Sequence, residues 1–160
     1  MKTAIIFTSK YGTTEKIAGM IAEKLKDTNE IELFSLKKSQ NPDISQFEMV
    51  ILGTAIYAGS ALKKMKKFCR ANEQVLLQKK LGLFVCGMEP TKEKQHQELQ
   101  DAYLEVLHKN AVATGFMGGA FLFEKMNFFE RFIIKKIAKT TTSVHKINAE
   151  AIDEFVKNLQ

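Results

Sequence analysis

The sequence predicts an α/β fold: a doubly wound parallel sheet of five strands with helices on both faces. Three observations carry that prediction. Residues 3–7 (TAIIF), 49–53 (MVILG) and 81–86 (LGLFVC) are short, continuous apolar runs, the pattern of strands buried on both faces rather than one. Amphipathic helical patterns lie between them, as the crossovers of a parallel sheet require. Each run gives way to a glycine-containing loop: SKYGTT near the start, TAIYAG in the middle and CGMEP after residue 85. At 160 residues and 45% hydrophobic content, the chain reads most simply as one domain, 1–160, with enough length to bury a core.

The elements follow in order. Residues 3–7 form the first strand. From Thr14 the apolar period becomes helical, with Ile17, Met20, Ile21 and Leu25 on one face and Glu15, Lys16, Glu23 and Lys24 elsewhere. Residues 31–36 (IELFSL) form the second strand, and Asn41-Pro42 marks the turn after it. The third strand, 49–53, is followed by a helix expected to begin near Ser60 as N-cap and to bury Leu62, Met65 and Cys69. The fourth strand, 81–86, leads into a long helix from about Thr91, with Leu99, Tyr103, Val106 and Leu107 on its inner face. A fifth strand lies within 112–123, loosened by Gly115, Gly118 and Gly119, and helices over 127–139 and 148–159 close the chain.

In sheets wound this way, ligands bind outside the carboxyl ends of the strands, where the winding direction switches. The first loop there sets Ser9, Thr13 and Thr14 hydroxyls beside a helix start whose first N–H groups lack intrahelical partners. Gly12 allows close backbone approach, and the helix dipole favours an anion, so the loop suits a phosphate. On these residues alone, a simple cap by Thr13 or Thr14 is an equal alternative. Neither GxxxxGK[ST] nor GxGxxG is present. A net charge of +6 favours anionic partners without choosing among them.

Ser9-Lys10-Tyr11-Gly12-Thr13-Thr14 resembles the FMN phosphate loop of flavodoxins, [ST]-x-T-G-x-T, with Tyr11 where those proteins usually carry threonine. The chain is more similar still to the flavodoxin-like, menaquinone-dependent protoporphyrinogen dehydrogenases. That family shares the basic residue at Lys10, a second loop like Gly53-Thr54-Ala55-Ile56-Tyr57-Ala58-Gly59, and a helix in the order Phe129-Glu130-Arg131-Phe132-Ile133-Ile134-Lys135-Lys136-Ile137. It tends to have an arginine followed by an aromatic residue where this chain has Tyr57 and Ala58. The resemblance implies an FMN-dependent oxidoreductase that dehydrogenates protoporphyrinogen or a related small molecule, with a quinone as acceptor. A flavodoxin-type electron carrier docking to protein redox partners is the alternative. It implies FMN contacts from Ser9, Lys10, Tyr11, Gly12, Thr13 and Thr14, from Ala55, Ile56, Tyr57, Ala58 and Gly59, and from Cys86, Gly87, Met88 and Glu89. Tyr57 is expected to meet the flavin ring, with packing on the next helix as the alternative. The catalytic chemistry is then the cofactor's, with no protein catalytic residue assigned.

Two basic surfaces stand out. Lys63, Lys64, Lys66, Lys67 and Arg70 read as a solvated helix face. Phe128, Arg131, Phe132, Lys135 and Lys139 share a helical stripe; a structural role is its first reading, and it also suits an anionic membrane surface, a partner protein or a lid. His96, His108 and His145 show no metal spacing, Cys69 and Cys86 form no CxxC, and no nucleic-acid recognition motif is present. The apolar run at residues 4–7 is short for a signal peptide, so the expected location is cytoplasmic, with a peripheral position at the inner membrane face as the second choice.

Overall fold

The computed structural model describes residues 1–121, 125, 127, 130–132, 135, 136 and 144–160. Five strands form the main parallel sheet: β1 (Lys2–Thr8), β2 (Glu30–Ser35), β3 (Met49–Tyr57), β5 (Lys80–Cys86) and β6 (Ala111–Phe116), in the order β2-β1-β3-β5-β6. A two-residue strand, β4 (Ser60–Ala61), folds back antiparallel on β3. The flanking helices are α1 (Thr13–Leu25), α2 (Lys63–Ala71), α3 (Glu73–Leu76), α4 (Lys92–Ala102), α5 (Glu105–Asn110) and α6 (Ala149–Leu159).

Alternation along the strands divides the core in two, because successive side chains point to opposite faces. Ala4, Ile6, Val50, Leu52, Leu83 and Val85 pack with Met65, Phe68 and Cys69 of α2 and with Leu99 and Leu107. Ile5, Phe7, Met49, Ile51 and Phe84 pack with Ile17, Ile21 and Leu25 of α1 and with Ile152, Phe155 and Leu159 of α6. The apolar runs are therefore continuous because both faces are covered. Gly53 has a packing role: a Cβ there would lie 2.0 Å from Phe84 Cζ, so the ring occupies the space a side chain would need.

Three expectations are corrected. Ser60 is not a helix cap; it pairs with Tyr57 in β4, and α2 starts at Lys63. The helix from Thr91 is two helices, broken at Tyr103 and Leu104, which are extended. The break sends the buried Tyr103 hydroxyl beneath the sheet, 2.6 Å from Phe84 O and 2.9 Å from Leu52 O, to share its one hydrogen between them. Val106 then turns outward at 39% exposure instead of lining the inner face.

The fifth strand expected within 112–123 is β6, and a further short strand follows it. β6 ends at Phe116, and Gly118 takes φ +69, turning the chain out of the sheet into β7 (Gly118–Phe121). β7 pairs antiparallel with β8 (Val144–Ile147). Of the helix expected over 127–139, Phe128, Phe129, Ile133, Ile134, Ile137 and Lys139 lie outside the described residues, while Glu130, Arg131 and Phe132 are helical.

Gly53→Ala is expected to destabilise the protein by about 1–3 kcal/mol or more, the usual range for overpacking a close-packed core. Urea unfolding measures this, and adding Phe84→Leu should restore part of the loss by vacating the contested space.

Candidate functional site

The site begins where β1 and β3 end side by side. Thr8 Oγ1 donates to Thr54 Oγ1 at 2.7 Å, a buried bond tying the two strand ends together. Beyond Thr8 the chain turns tightly: Gly12 N–H donates to Ser9 Oγ at 2.9 Å, and Gly12 sits at φ +98 in the left-handed region. α1 then starts at Thr13 with no side-chain cap. Neither Thr13 nor Thr14 plays the capping role that was the alternative reading of this loop. First-turn N–H groups are left for a ligand or solvent.

Thr14 sharpens the picture. It is 1% exposed, yet Oγ1 has no hydrogen-bond partner among the described residues. It lies beside the Cys86 thiol, close enough to favour the thiolate slightly but without forming a bond of good geometry. Burial dominates at Cys86 and pushes its thiol up to about 12, so it behaves as a small apolar group with little capacity to satisfy a hydroxyl. A buried hydroxyl without a partner costs about 1–3 kcal/mol. That cost falls at the start of the uncapped helix.

The second loop is a tight hairpin. Tyr57 and Ser60 pair across a two-residue turn in which Ala58 has φ 48 and Gly59 φ 75, the positive values that a type I′ hairpin demands. Ala58 is the one non-glycine residue with positive φ among the described residues, a conformation costing roughly 1–2 kcal/mol for an L side chain. The turn holds Tyr57 half-buried at the cavity edge, with Lys10 Nζ 3.4 Å from its ring centroid. Lys10 also pairs with Glu130 Oε1 at 3.3 Å, and the Tyr11 hydroxyl donates to Glu130 Oε2. Lys125 Nζ donates to Tyr11 O at 3.2 Å. The Tyr11 hydroxyl is thus committed to Glu130, a residue 119 positions away.

The third loop closes against β7. Gly87 N–H donates to Gly118 O at 2.9 Å, and a Cβ on Gly119 would stand 2.9 Å from Gly87 O. Glu89 turns toward the following helix: its carboxylate accepts from Thr91 N at 3.0 Å, and its carbonyl accepts from Gln95 Nε2 at 2.7 Å.

Together these loops enclose a cavity of about 100 Å³, partly open to solvent. Ser9, Lys10, Tyr11, Thr13, Thr14, Ala55, Ile56, Tyr57, Ala58, Cys86, Gly87 and Met88 line it, with Gly119 and Ala120. Gly12, Gly59 and Glu89 were also expected at the site and are not in the lining. The two glycines shape their turns, and Glu89 serves the start of α4. Gly119 and Ala120 were missed; the adjacent pair Gly118-Gly119 was the available signal of a close backbone approach.

The family described as Flavodoxin domain matches residues 4–148 of the chain. A flavodoxin from Clostridium saccharobutylicum is 32% identical over 84 residues, 51% of this chain and 52% of that protein. The chain therefore spans about half the length of that relative. Protoporphyrinogen IX dehydrogenase [quinone] from Escherichia coli strain K12 is 21% identical over 144 residues, 87% of this chain and 80% of that protein. Among solved structures, oxidised flavodoxin 1 from Bacillus cereus aligns with 99% of this chain and 95% of its own, at TM-score 0.58 and 20% identity. A short-chain flavodoxin associated with a bacterial microcompartment aligns with 99% and 96% at TM-score 0.63 and 10% identity. At such identities the structural likeness speaks for the fold.

Relief of the hairpin strain is measurable by thermal unfolding. Ala58→Gly should leave stability unchanged or raise it by up to about 1 kcal/mol, since glycine adopts positive φ without steric cost. Ala58→Val should lower it, because a β-branched side chain tolerates that conformation worst.

Proposed function

The chain belongs to the flavodoxin-domain family, and on that premise we propose that it is a single-domain, FMN-dependent oxidoreductase over residues 1–160. The observation that carries the reading is Thr14 Oγ1, buried without a partner at the uncapped start of α1. A phosphate placed there would accept from that hydroxyl, from Ser9 and Thr13, and from first-turn N–H groups, with the helix dipole adding to the attraction. Lys10, paired with Glu130, adds a cation at the edge of the same loop. Ile56, Tyr57 and Ala58 would face the flavin ring, and backbone groups of Cys86 to Met88 would address its pyrimidine edge. Gly119 and Ala120 would form the opposite wall, where larger side chains would intrude. FMN, when bound, supplies the oxidation–reduction chemistry; the chain's residues hold it, orient it and limit solvent access.

As substrate we propose protoporphyrinogen or a related molecule, with a quinone as acceptor. Support comes from the similarity to the Escherichia coli dehydrogenase across most of both chains and from the shared order of loop and helix motifs. The similarity to a clostridial flavodoxin favours a second reading, an electron carrier serving protein partners. Among the described residues, no helix is long and apolar enough to cross a membrane.

Thr14 provides the test. Thr14→Val removes the buried hydroxyl while keeping its shape, so it should stabilise the FMN-free protein, by about 1–3 kcal/mol if the full penalty is relieved. It should also weaken FMN binding at least tenfold in a fluorescence titration, while Thr14→Ser retains binding. Unchanged affinity in Thr14→Val would remove the phosphate from this position. Anaerobic mixing of the FMN-loaded protein with protoporphyrinogen, then with a quinone, separates the readings: turnover supports the dehydrogenase, and its absence leaves the carrier.

A further inference from the structure

Two hollows flank the proposed FMN cavity and meet it at the turn formed by Ser9 and Lys10. One is lined by Thr8, Leu62, Lys37, Lys63 and Lys64; the other by Gly12, Glu15, Ser35, Lys37, Lys38 and Lys125. Lys37 belongs to both, so the hollows form one surface around the turn. Its lysines come from separate parts of the chain: the loop after β1, the turn after β2, the first turn of α2, and Lys125. Lys10 is paired with Glu130 and Lys125 is bonded to Tyr11 O. Among the described residues, Lys37, Lys38, Lys63 and Lys64 take part in no ion pair. Glu15 is the acidic residue in the lining.

Local stability does not account for this arrangement. Lys63 and Lys64 open α2, which has no acid in its first turn and no side-chain cap. Cations at a helix N-terminus oppose the macrodipole, at a cost of about 0.3–1 kcal/mol each. A helix selected only for stability would carry acids or a cap there. Lys37 and Lys38 add further like charge around the same mouth. The cost is offset if the surface meets negative charge on a partner.

We propose that this surface, with Lys37, Lys38, Lys63 and Lys64 at its centre, docks an acidic protein redox partner over the mouth of the cofactor cavity. The proposal rests on the FMN reading in its electron-carrier form and deepens it by naming the chemistry of the partner: a protein with clustered Asp and Glu side chains around its own redox centre. Charge spread over four segments suits an extended carboxylate-rich face better than a single small anion. No unpartnered buried polar atom among the described residues belongs to the lining of these hollows, whereas Thr14 does belong to the cofactor cavity. Among the described residues, Leu62 is the single aliphatic and Tyr11 the single aromatic side chain in the lining.

The test uses the full chain, both FMN-free and FMN-loaded, so that docking and cofactor binding are read separately. The probe is a plant-type [2Fe–2S] ferredoxin with an acidic face; basic cytochrome c is the charge-reversed control, and vesicles containing phosphatidylglycerol test the lipid alternative. Binding is followed by calorimetry and amide NMR shifts. Ferredoxin is expected to bind at low salt, to weaken at least tenfold between about 20 and about 200 mM salt as the Debye length shortens, and to shift residues 37, 38, 63 and 64. The variant K37Q/K38Q/K63Q/K64Q should lose at least tenfold in ferredoxin affinity while its unfolding transition stays cooperative. Failure of ferredoxin to bind, equal binding by the variant, or stronger lysine-dependent binding to cytochrome c or to vesicles would each overturn the proposal. Absence of FMN binding in the same preparations would instead defeat the cofactor reading.

Discussion

The structure depends first on the pairing of β1 with β3. The two strands run parallel in register from Thr3 against Met49 to Thr8 against Thr54, and the Thr8–Thr54 hydroxyl bond joins their ends. From that shared edge the chain departs in opposite directions. After β1 it enters α1, which packs on the face carrying Ile5 and Phe7. After β3 it reaches α2, which packs on the face carrying Ala4 and Ile6. Two connections leaving adjacent strands for opposite faces open a crevice between them. The cavity, the uncapped helix start and the hairpin turn all follow from that divergence.

The crevice concentrates costs that a purely structural loop has no reason to carry. Thr14 keeps a buried hydroxyl without a partner, Ala58 holds positive φ, and Lys63 and Lys64 open a helix against its dipole. Residues in such states cluster where a ligand or partner supplies the missing interaction. The opposite sheet face shows the contrast: Tyr103 is also buried, yet its hydroxyl reaches two backbone carbonyls. One buried hydroxyl is satisfied within the fold, and the other belongs to a residue that lines the cavity.

Much of this was legible from residue order. The apolar runs of β1, β3 and β5 announced a sheet covered on both sides, and the three loops after them supplied most of the cavity lining. The errors arose where distant chain decides local structure. Ser60 has the chemistry of an N-cap, but pairing with Tyr57 placed it in a strand. Tyr103 fitted a helical stripe, but its bond to the sheet broke the helix. Gly119 and Ala120 reach the cavity through Gly118 and the antiparallel pairing of β7 with β8, and the tie from Glu130 to Lys10 and Tyr11 crosses more than a hundred residues. Periodicity reports local faces and carries no record of such approaches.

The central claim is that three loops and β7 form one FMN site built on the β1–β3 edge. Amide hydrogen exchange with and without saturating FMN tests it most directly, because it reports every loop independently. Joint slowing is expected at residues 9–16, 54–59, 86–88 and 118–120, with the first turn of α1 changing most. Slowing confined to the lysine-rich start of α2, or no change in the α1 turn, would contradict it.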